Sequence, residues 1–330
     1  VKVAFIGASG HWKYAVNGIK TEDELQICGV SPGSKGEDIS PLVHELHKDG
    51  YAPPVFDDYT KMLDEQRPDV VVVDNFFSDH AHVGIAALKR GAHLFIEKPI
   101  ATTLKDLEAL YRAYEESGCH LAAMHGLRYA PAFYTAWSVI RSGDIGKPRL
   151  IHTQKSYRLG SRPPFFKHRH SYGGTIPWVG SHAIDWIYWF SAKRFRSVFA
   201  SHSRQGNQDH GELETTALCH FTMEDGVFAS ASIDYLRPET APSHGDDRIR
   251  VAGTKGVVEV RNGDVHVISG VEGVRKLEPK DPGNIFQDFV QHIRGHKECL
   301  IGAEDSFYVT EICLRARQSA DENRVVELSR

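Results

Sequence analysis

The sequence predicts an α/β protein of two domains: a doubly wound parallel sheet at the N-terminus, then an α/β domain with an open, mainly antiparallel sheet. Three observations predict it. Short apolar runs alternate with helical patterns before residue 126, a Gly7-Ala8-Ser9-Gly10 turn directly follows the first run, and beyond about Arg128 strand patterns succeed one another. A chain of 330 residues is too long for one ordinary core and long enough for two.

The runs Val1–Ile6, Leu25–Val30, Asp69–Val73, His93–Ile96 and His120–His125 are expected as buried strands of the parallel sheet. A helix is expected after Gly10, another over His80–Gly91 with a glycine C-cap, and a third over Leu104–Glu116, where Leu107, Leu110, Tyr111 and Tyr114 share a stripe. Leu150–Lys155, Thr215–Phe221, Val227–Asp234, Ile249–Ala252, Gly256–Val260 and Asp264–Ile268 read as strands. Turns such as Asn262-Gly263 and Glu224-Asp225-Gly226 join them in antiparallel fashion. Helical spacing returns at Ile285–Ile293 and Glu304–Ala320. No repeat or long linker separates the halves, so the boundary is placed near residue 126, giving domains 1–126 and 127–330.

Composition narrows the function. A charged fraction of 25% and a hydrophobic fraction of 41% are those of an ordinary globular chain. A net charge of −4 without clustered Lys and Arg gives no footing for nucleic acid. No 18-residue apolar run or signal segment is visible, so no membrane association and a cytoplasmic location are expected. Five scattered cysteines suggest neither a disulfide framework nor a zinc site.

Gly7-Ala8-Ser9-Gly10 lies where a strand turns into a helix. Glycines there let the backbone approach a pyrophosphate, and the helix start offers unpaired N–H groups. Gly7, Ala8, Ser9, Gly10, His11 and Trp12 are therefore candidate cofactor contacts, although Ser9 and Trp12 stand where G-x-G-x-x-G has its second and third glycines. The second strand ends on Ser31, where an NAD-selective fold usually has Asp or Glu. Ser31 with Ser34 and Lys35 leans the choice between NAD and NADP towards NADP. Glu97-Lys98-Pro99 is expected at the C-terminal end of the fifth strand, the edge at which open α/β sheets take their ligands.

Glu97-Lys98-Pro99 after Gly91-Ala-His-Leu-Phe-Ile96, His80 upstream, Arg128-Tyr-Ala-Pro131, Gly173-Gly174, Gly180-Ser-His-Ala-Ile-Asp185 and the ending from Phe286 to Ala320 together resemble the Gfo/Idh/MocA oxidoreductases. The resemblance covers nearly the whole chain. It implies a Rossmann NAD(P)-binding domain, a second domain for substrate and oligomerisation, and a homodimer or homotetramer. It also implies NAD(P)-dependent hydride transfer at a sugar, polyol or sugar-derivative hydroxyl. Lys98 would touch that hydroxyl and the nicotinamide ribose, and His182 would occupy the position of the family's base; Asn75, Phe76, His80 and Glu97 would surround the cofactor.

An ammonium beside a reacting C–OH stabilises developing alkoxide, and an imidazole titrating near neutrality moves the proton. Four residues before His182, sugar-oxidising members commonly carry Asp, where this chain has Trp178. An indole cannot orient the imidazole, so Trp178 would offer the sugar a stacking face, with His182 oriented by Asp185, a nearby tyrosine or water. Arg128, Arg162, His168, Trp178 and Asp185 are the candidate substrate contacts, in or near a basic segment that would also suit an anionic sugar. His168-x-His170 is permissive for a metal, but none is expected. Two alternatives share the resemblance: a redox-neutral glycosidase or epimerase with tightly bound NAD(P), and a non-catalytic nucleotide-sensing regulator.

Overall fold

The computed structural model describes residues 1–22 and 24–328. In chain order its elements are β1 (Lys2–Ile6), α1 (Lys13–Ile19), β2 (Gln26–Ser31), α2 (Ser40–Lys48), α3 (Tyr59–Gln66), β3 (Val70–Val73), α4 (His80–Leu88), β4 (His93–Ile96), α5 (Leu104–Ser117) and β5 (Leu121–Ala123). Then come α6 (Pro131–Ser142), β6 (Pro148–Tyr157), α7 (Arg169–Tyr172), α8 (Thr175–Trp178), α9 (Gly180–Ser191), β7 (Phe195–Ser203), β8 (Thr216–Met223) and β9 (Phe228–Asp234). β10 (Gly245–Gly253), β11 (Gly256–Arg261), β12 (Asp264–Ser269), β13 (Gly273–Leu277), α10 (Ile285–Ile293), α11 (Ala303–Glu322) and β14 (Val326–Glu327) complete the chain. They fall into two compact units. The first holds Val1–Gly126, His170–Gly173 and Gly283–Thr310; the second holds Leu127–Arg169, Gly174–Pro282 and the chain from Glu311 onward.

The first unit is built on a five-stranded parallel sheet in the order β2-β1-β3-β4-β5. Its central strand β3 is four valines, all buried, because a strand covered on both faces has no polar side. Glu97-Lys98-Pro99 leaves β4, which is the fourth strand in the chain and in the sheet, not the fifth. Between β2 and β3, besides α2 and α3, Val55 forms an isolated parallel bridge to Val30. The return of α10 to this unit is fixed by particular contacts. Asn284 caps it by accepting from the N–H groups of Phe286 and Gln287. Phe286 and Phe289 pack on Phe95 of β4 at 5.2 and 5.7 Å, and Arg294 pairs with Glu22 and Glu24 at 3.1 and 2.9 Å.

Three histidines meet at the N-terminal ends of β4 and β5. His93 and His120 stack at 5.2 Å, His292 of α10 meets His120 edge-on at 4.6 Å, and the His120 N–H donates to His93 Nδ1 at 2.9 Å. Burial first, and then the neighbouring imidazoles, hold His93 and His120 below the usual histidine value, with Asp69 opposing at His93. The unfolded chain therefore takes up protons before the folded one. The stability these groups contribute is complete above the ordinary value, about 6.5, and is lost as pH falls from there towards the depressed folded values. The melting temperature is expected to drop between pH 7.5 and 5, and more shallowly in His93→Gln/His120→Gln; equal slopes in thermal melts of the two proteins would refute it.

The second unit carries a nine-stranded sheet, β13-β12-β11-β10-β6-β9-β8-β7-β14, antiparallel throughout except where β6 runs parallel to β9. One face is covered and one is open, so its strands alternate: in β9, Ala229, Ala231 and Ile233 are buried and Phe228 is exposed. The small alanines let α9 lie close, and at Gly180 there is no room for a side chain, since a Cβ there would stand 2.5 Å from Ile233 Cδ1. Among the described residues no helix is long and apolar enough to cross a membrane.

Candidate active site

The first unit gathers its candidate residues at the C-terminal edge of the parallel sheet. Gly7 leaves β1 at φ +89°, and a Cβ there would collide with the backbone of Asn75. The Ser9 N–H donates to the Asp74 carbonyl at 2.6 Å and the Trp12 N–H to the Asp74 carboxylate at 2.7 Å, just ahead of α1. Trp12 itself is buried.

Ser31 is fully buried and its hydroxyl donates to the Pro32 carbonyl at 3.2 Å, while Lys35 is exposed. What faces the glycine loop is Glu37. Its Oε1 accepts from the Ala8 N–H at 3.1 Å and the Ser9 hydroxyl at 2.5 Å; its Oε2 accepts from the N–H groups of Gly33 and Ser34 at 3.0 and 3.2 Å. Burial pushes the Glu37 carboxyl up, against the pull of these four bonds. Sequence reasoning missed Glu37 because it looked at the last residue of the strand. The signal available was the first carboxylate after Ser31, six residues on, across a Pro32-Gly33 turn that folds back.

Asn75 is buried. Its NH₂ donates to Ser34 Oγ at 3.0 Å, its Oδ1 has no hydrogen-bond partner among the described residues, and the Phe76 N–H donates to the same Ser34 oxygen at 3.2 Å. His80 is also fully buried, with its ring nitrogens 2.8 Å from the Pro99 carbonyl and 3.0 Å from the Asn75 carbonyl. Burial pushes its pKa down despite those two carbonyls and Glu97. It thereby ties the cis Lys98–Pro99 turn to the exit of β3.

Lys98 is 2% exposed, with its ammonium 3.8 Å from Glu97 Oε1. Both Glu97 oxygens lie 3.1 Å from His11 Nδ1. Burial raises the Glu97 carboxyl, but His11, Lys98 and His80 more than offset this, leaving it below its ordinary value. Asp74 goes the other way: burial and then the charge of Glu97 push it well up. One carboxylate is thus kept as counter-charge to Lys98 while its neighbour is driven towards the neutral form.

In the second unit Trp178, His182 and Trp186 are spaced by four along α8 and α9, which puts them on one stripe. His182 is 3% exposed. Arg128 and Asp185, expected to meet substrate, are held by each other. Arg128 Nε lies 3.1 and 3.0 Å from the two carboxylate oxygens and Nη2 lies 2.6 Å from Oδ1, with both residues buried. Arg162 lies with its guanidinium 5.9 Å from the Phe166 ring and 5.0 Å from the Tyr235 ring; Phe166 in turn meets Trp178 edge-on at 6.0 Å. His168 is exposed, just before α7. Among the described residues no group of three or more His, Cys, Asp or Glu is arranged to hold a metal.

Two family descriptions match the chain: "Oxidoreductase family, NAD-binding Rossmann fold" over residues 1–125, and "GFO/IDH/MocA C-terminal domain" over residues 133–259. The chain belongs to the GFO/IDH/MocA oxidoreductases. Its first 125 residues match the NAD-binding domain of that oxidoreductase family. Among its relatives is inositol 2-dehydrogenase of Salmonella typhimurium, 24% identical over 268 residues, or 79% of this chain and 72% of that one. Glycosyl hydrolase family 109 protein 1 of Akkermansia muciniphila is 26% identical over 208 residues, 61% of this chain and 40% of that one. A solved Thermotoga maritima structure described as an oxidoreductase is 47% identical, covers 99% of this chain and 100% of its own, and superposes with a TM-score of 0.97.

Proposed function

We propose that this GFO/IDH/MocA member transfers a hydride reversibly between a hydroxyl carbon of a sugar, polyol or sugar derivative and C4 of NAD. The observation that carries the reading is Lys98: a buried ammonium beside Glu97, on a turn anchored by His80, at the sheet edge where such folds take ligands. Lys98 polarises the reacting oxygen and His182 takes or returns its proton. The inositol 2-dehydrogenase relative supports a cyclic polyol or sugar as substrate class. When bound, the nicotinamide supplies the hydride acceptor. The strand-to-helix turn at Gly7, the Ser9 hydroxyl and Glu37 suit a dinucleotide, with Glu37 receiving ribose hydroxyls.

That carboxylate is why we assign NAD in place of the NADP towards which Ser31 and Lys35 leaned. The Ser31 hydroxyl is turned to Pro32, and a 2′-phosphate would meet Glu37. Like-charge contact of this kind costs several kcal/mol, so NAD is expected to be preferred by about a hundredfold in kcat/KM, with Glu37→Ser narrowing the ratio at least about tenfold. A ratio unchanged in Glu37→Ser would remove this assignment.

The test of the activity is absorbance at the reduced-nicotinamide band, with NAD⁺ or NADP⁺ and a panel of sugars, polyols and sugar acids. A rise that requires Lys98 supports it. A flat trace from protein purified with nucleotide already bound would favour the redox-neutral reading that the family 109 relative supports.

A further inference from the structure

The stripe Trp178–His182–Trp186 has a cation at each end, and both lie within the second unit. At one end Phe166, edge-on to Trp178, carries the guanidinium of Arg162. At the other, the ammonium of Lys155, fully buried, lies 5.3 Å from the Trp186 ring and 4.6 Å from the Tyr157 ring. Four residues of helix are about 6 Å, so each tryptophan is one turn from His182.

The two cations differ in how they are balanced. Lys155 has Asp247 at 2.6 Å. Arg162 has no carboxylate within ion-pair distance among the described residues; its one hydrogen bond goes from Nη2 to the Arg158 carbonyl at 3.1 Å, and its Nε is unsatisfied. Under it lies Tyr235, 3% exposed, whose hydroxyl has no hydrogen-bond partner among the described residues. A buried hydroxyl without a partner beside a guanidinium without a counter-charge is a costly arrangement unless a ligand completes it. His244, stacked on Tyr157 at 5.0 Å, reports the local field: after burial, Arg162, Arg158 and Lys155 press it below the usual histidine value against Glu239. The excess charge on this wall is positive.

We propose that Arg162 and Tyr235, backed by Lys155, form a subsite for an acidic group on the carbohydrate, so that the substrate is a sugar or polyol carrying a carboxylate or phosphate. Arg162 pairs with the anion and the Tyr235 hydroxyl donates to one of its oxygens, holding the ring with its reacting hydroxyl towards His182. This rests on the assignment of His182 as the acid-base group.

The experiment compares kcat/KM with NAD⁺ for matched substrates: hexose against hexuronate and hexose 6-phosphate, and polyol against aldonate. Each pair is run with the native protein, Arg162→Ala, Arg162→Lys and Tyr235→Phe. The native protein is expected to prefer the acid at least tenfold over its neutral partner. Arg162→Ala should shrink that ratio at least tenfold through KM, Arg162→Lys should restore part of it, and the preferred acid separates carboxylate from phosphate. Neutral substrates used equally well, or a ratio untouched by Arg162→Ala, would overturn the subsite. Calorimetric binding of glucuronate, gluconate and glucose 6-phosphate to protein saturated with NADH is read in parallel. Binding that needs Arg162 with no turnover would keep the subsite and sink the hydride-transfer reading. Absence of binding by all three acids in the native protein would sink the subsite.

Discussion

Lys98→Met is expected to lower kcat about a thousandfold while the affinity for NAD⁺ changes little. Methionine keeps the stem of the side chain and its packing but removes the ammonium proposed to meet an oxygen gaining charge. Loss of a single such preorganised donor typically costs 10²–10³ in kcat, about 3–4 kcal/mol. The substitution is tolerable at this site because Glu97 is not left alone: His11 remains 3.1 Å from both of its oxygens. The carboxyl pair of Glu97 and Asp74 should adjust by holding protons more tightly, since part of the charge that depresses Glu97 is Lys98. Stopped-flow single turnovers together with titration of NADH fluorescence separate the two parameters. If kcat and nucleotide affinity fell together by the same factor, Lys98 would be a structural counter-ion of Glu97 and not the polarising group.

The residues legible in the sequence are those whose chemistry is carried by neighbours in the chain. The parallel strands announce themselves as apolar runs, and Glu97-Lys98-Pro99 stands at the end of one. The helices that were not read failed for physical reasons. In α9 eleven of the twelve residues are buried, so it has no polar face and no period to detect. In α6 the signals were present, with Pro131 at its start and Gly143 in the left-handed region at its end, but Phe133, Tyr134, Trp137 and Val139 resemble strand composition. What escaped notice depends on partners distant in the chain. Glu37 acts on Ala8 and Ser9 across a loop, and Arg162, itself a candidate from the sequence, rests on Tyr235, 73 positions later, which the sequence did not single out. Arg128 and Asp185 were visible as motif residues, but that they hydrogen-bond to each other was not. A motif shows that a charge is placed with purpose, and only the fold shows which partner takes it up.

That pair sets the second large expectation. Arg128 is 2% and Asp185 1% exposed, bound through three contacts of 3.1, 3.0 and 2.6 Å, with the guanidinium also 5.4 Å from the Trp189 ring. Arg128→Ala leaves a buried carboxylate without its counter-charge and is expected to cost about 3–5 kcal/mol of stability, measured by urea denaturation. Arg128→Met/Asp185→Leu removes both charges and fills similar volume, so most of that loss should be recovered. Activity is expected not to follow stability. Asp185 stands three residues after His182 on α9, so the ion pair fixes how the helix is rotated about its axis, and with it the direction of the imidazole. The double variant should therefore melt close to the native protein and yet show a reduced kcat with an altered pH profile. A double variant that is both stable and fully active would make the pair a folding feature alone. One that stays as unstable as Arg128→Ala would show that the cost lies in lost packing against Trp189.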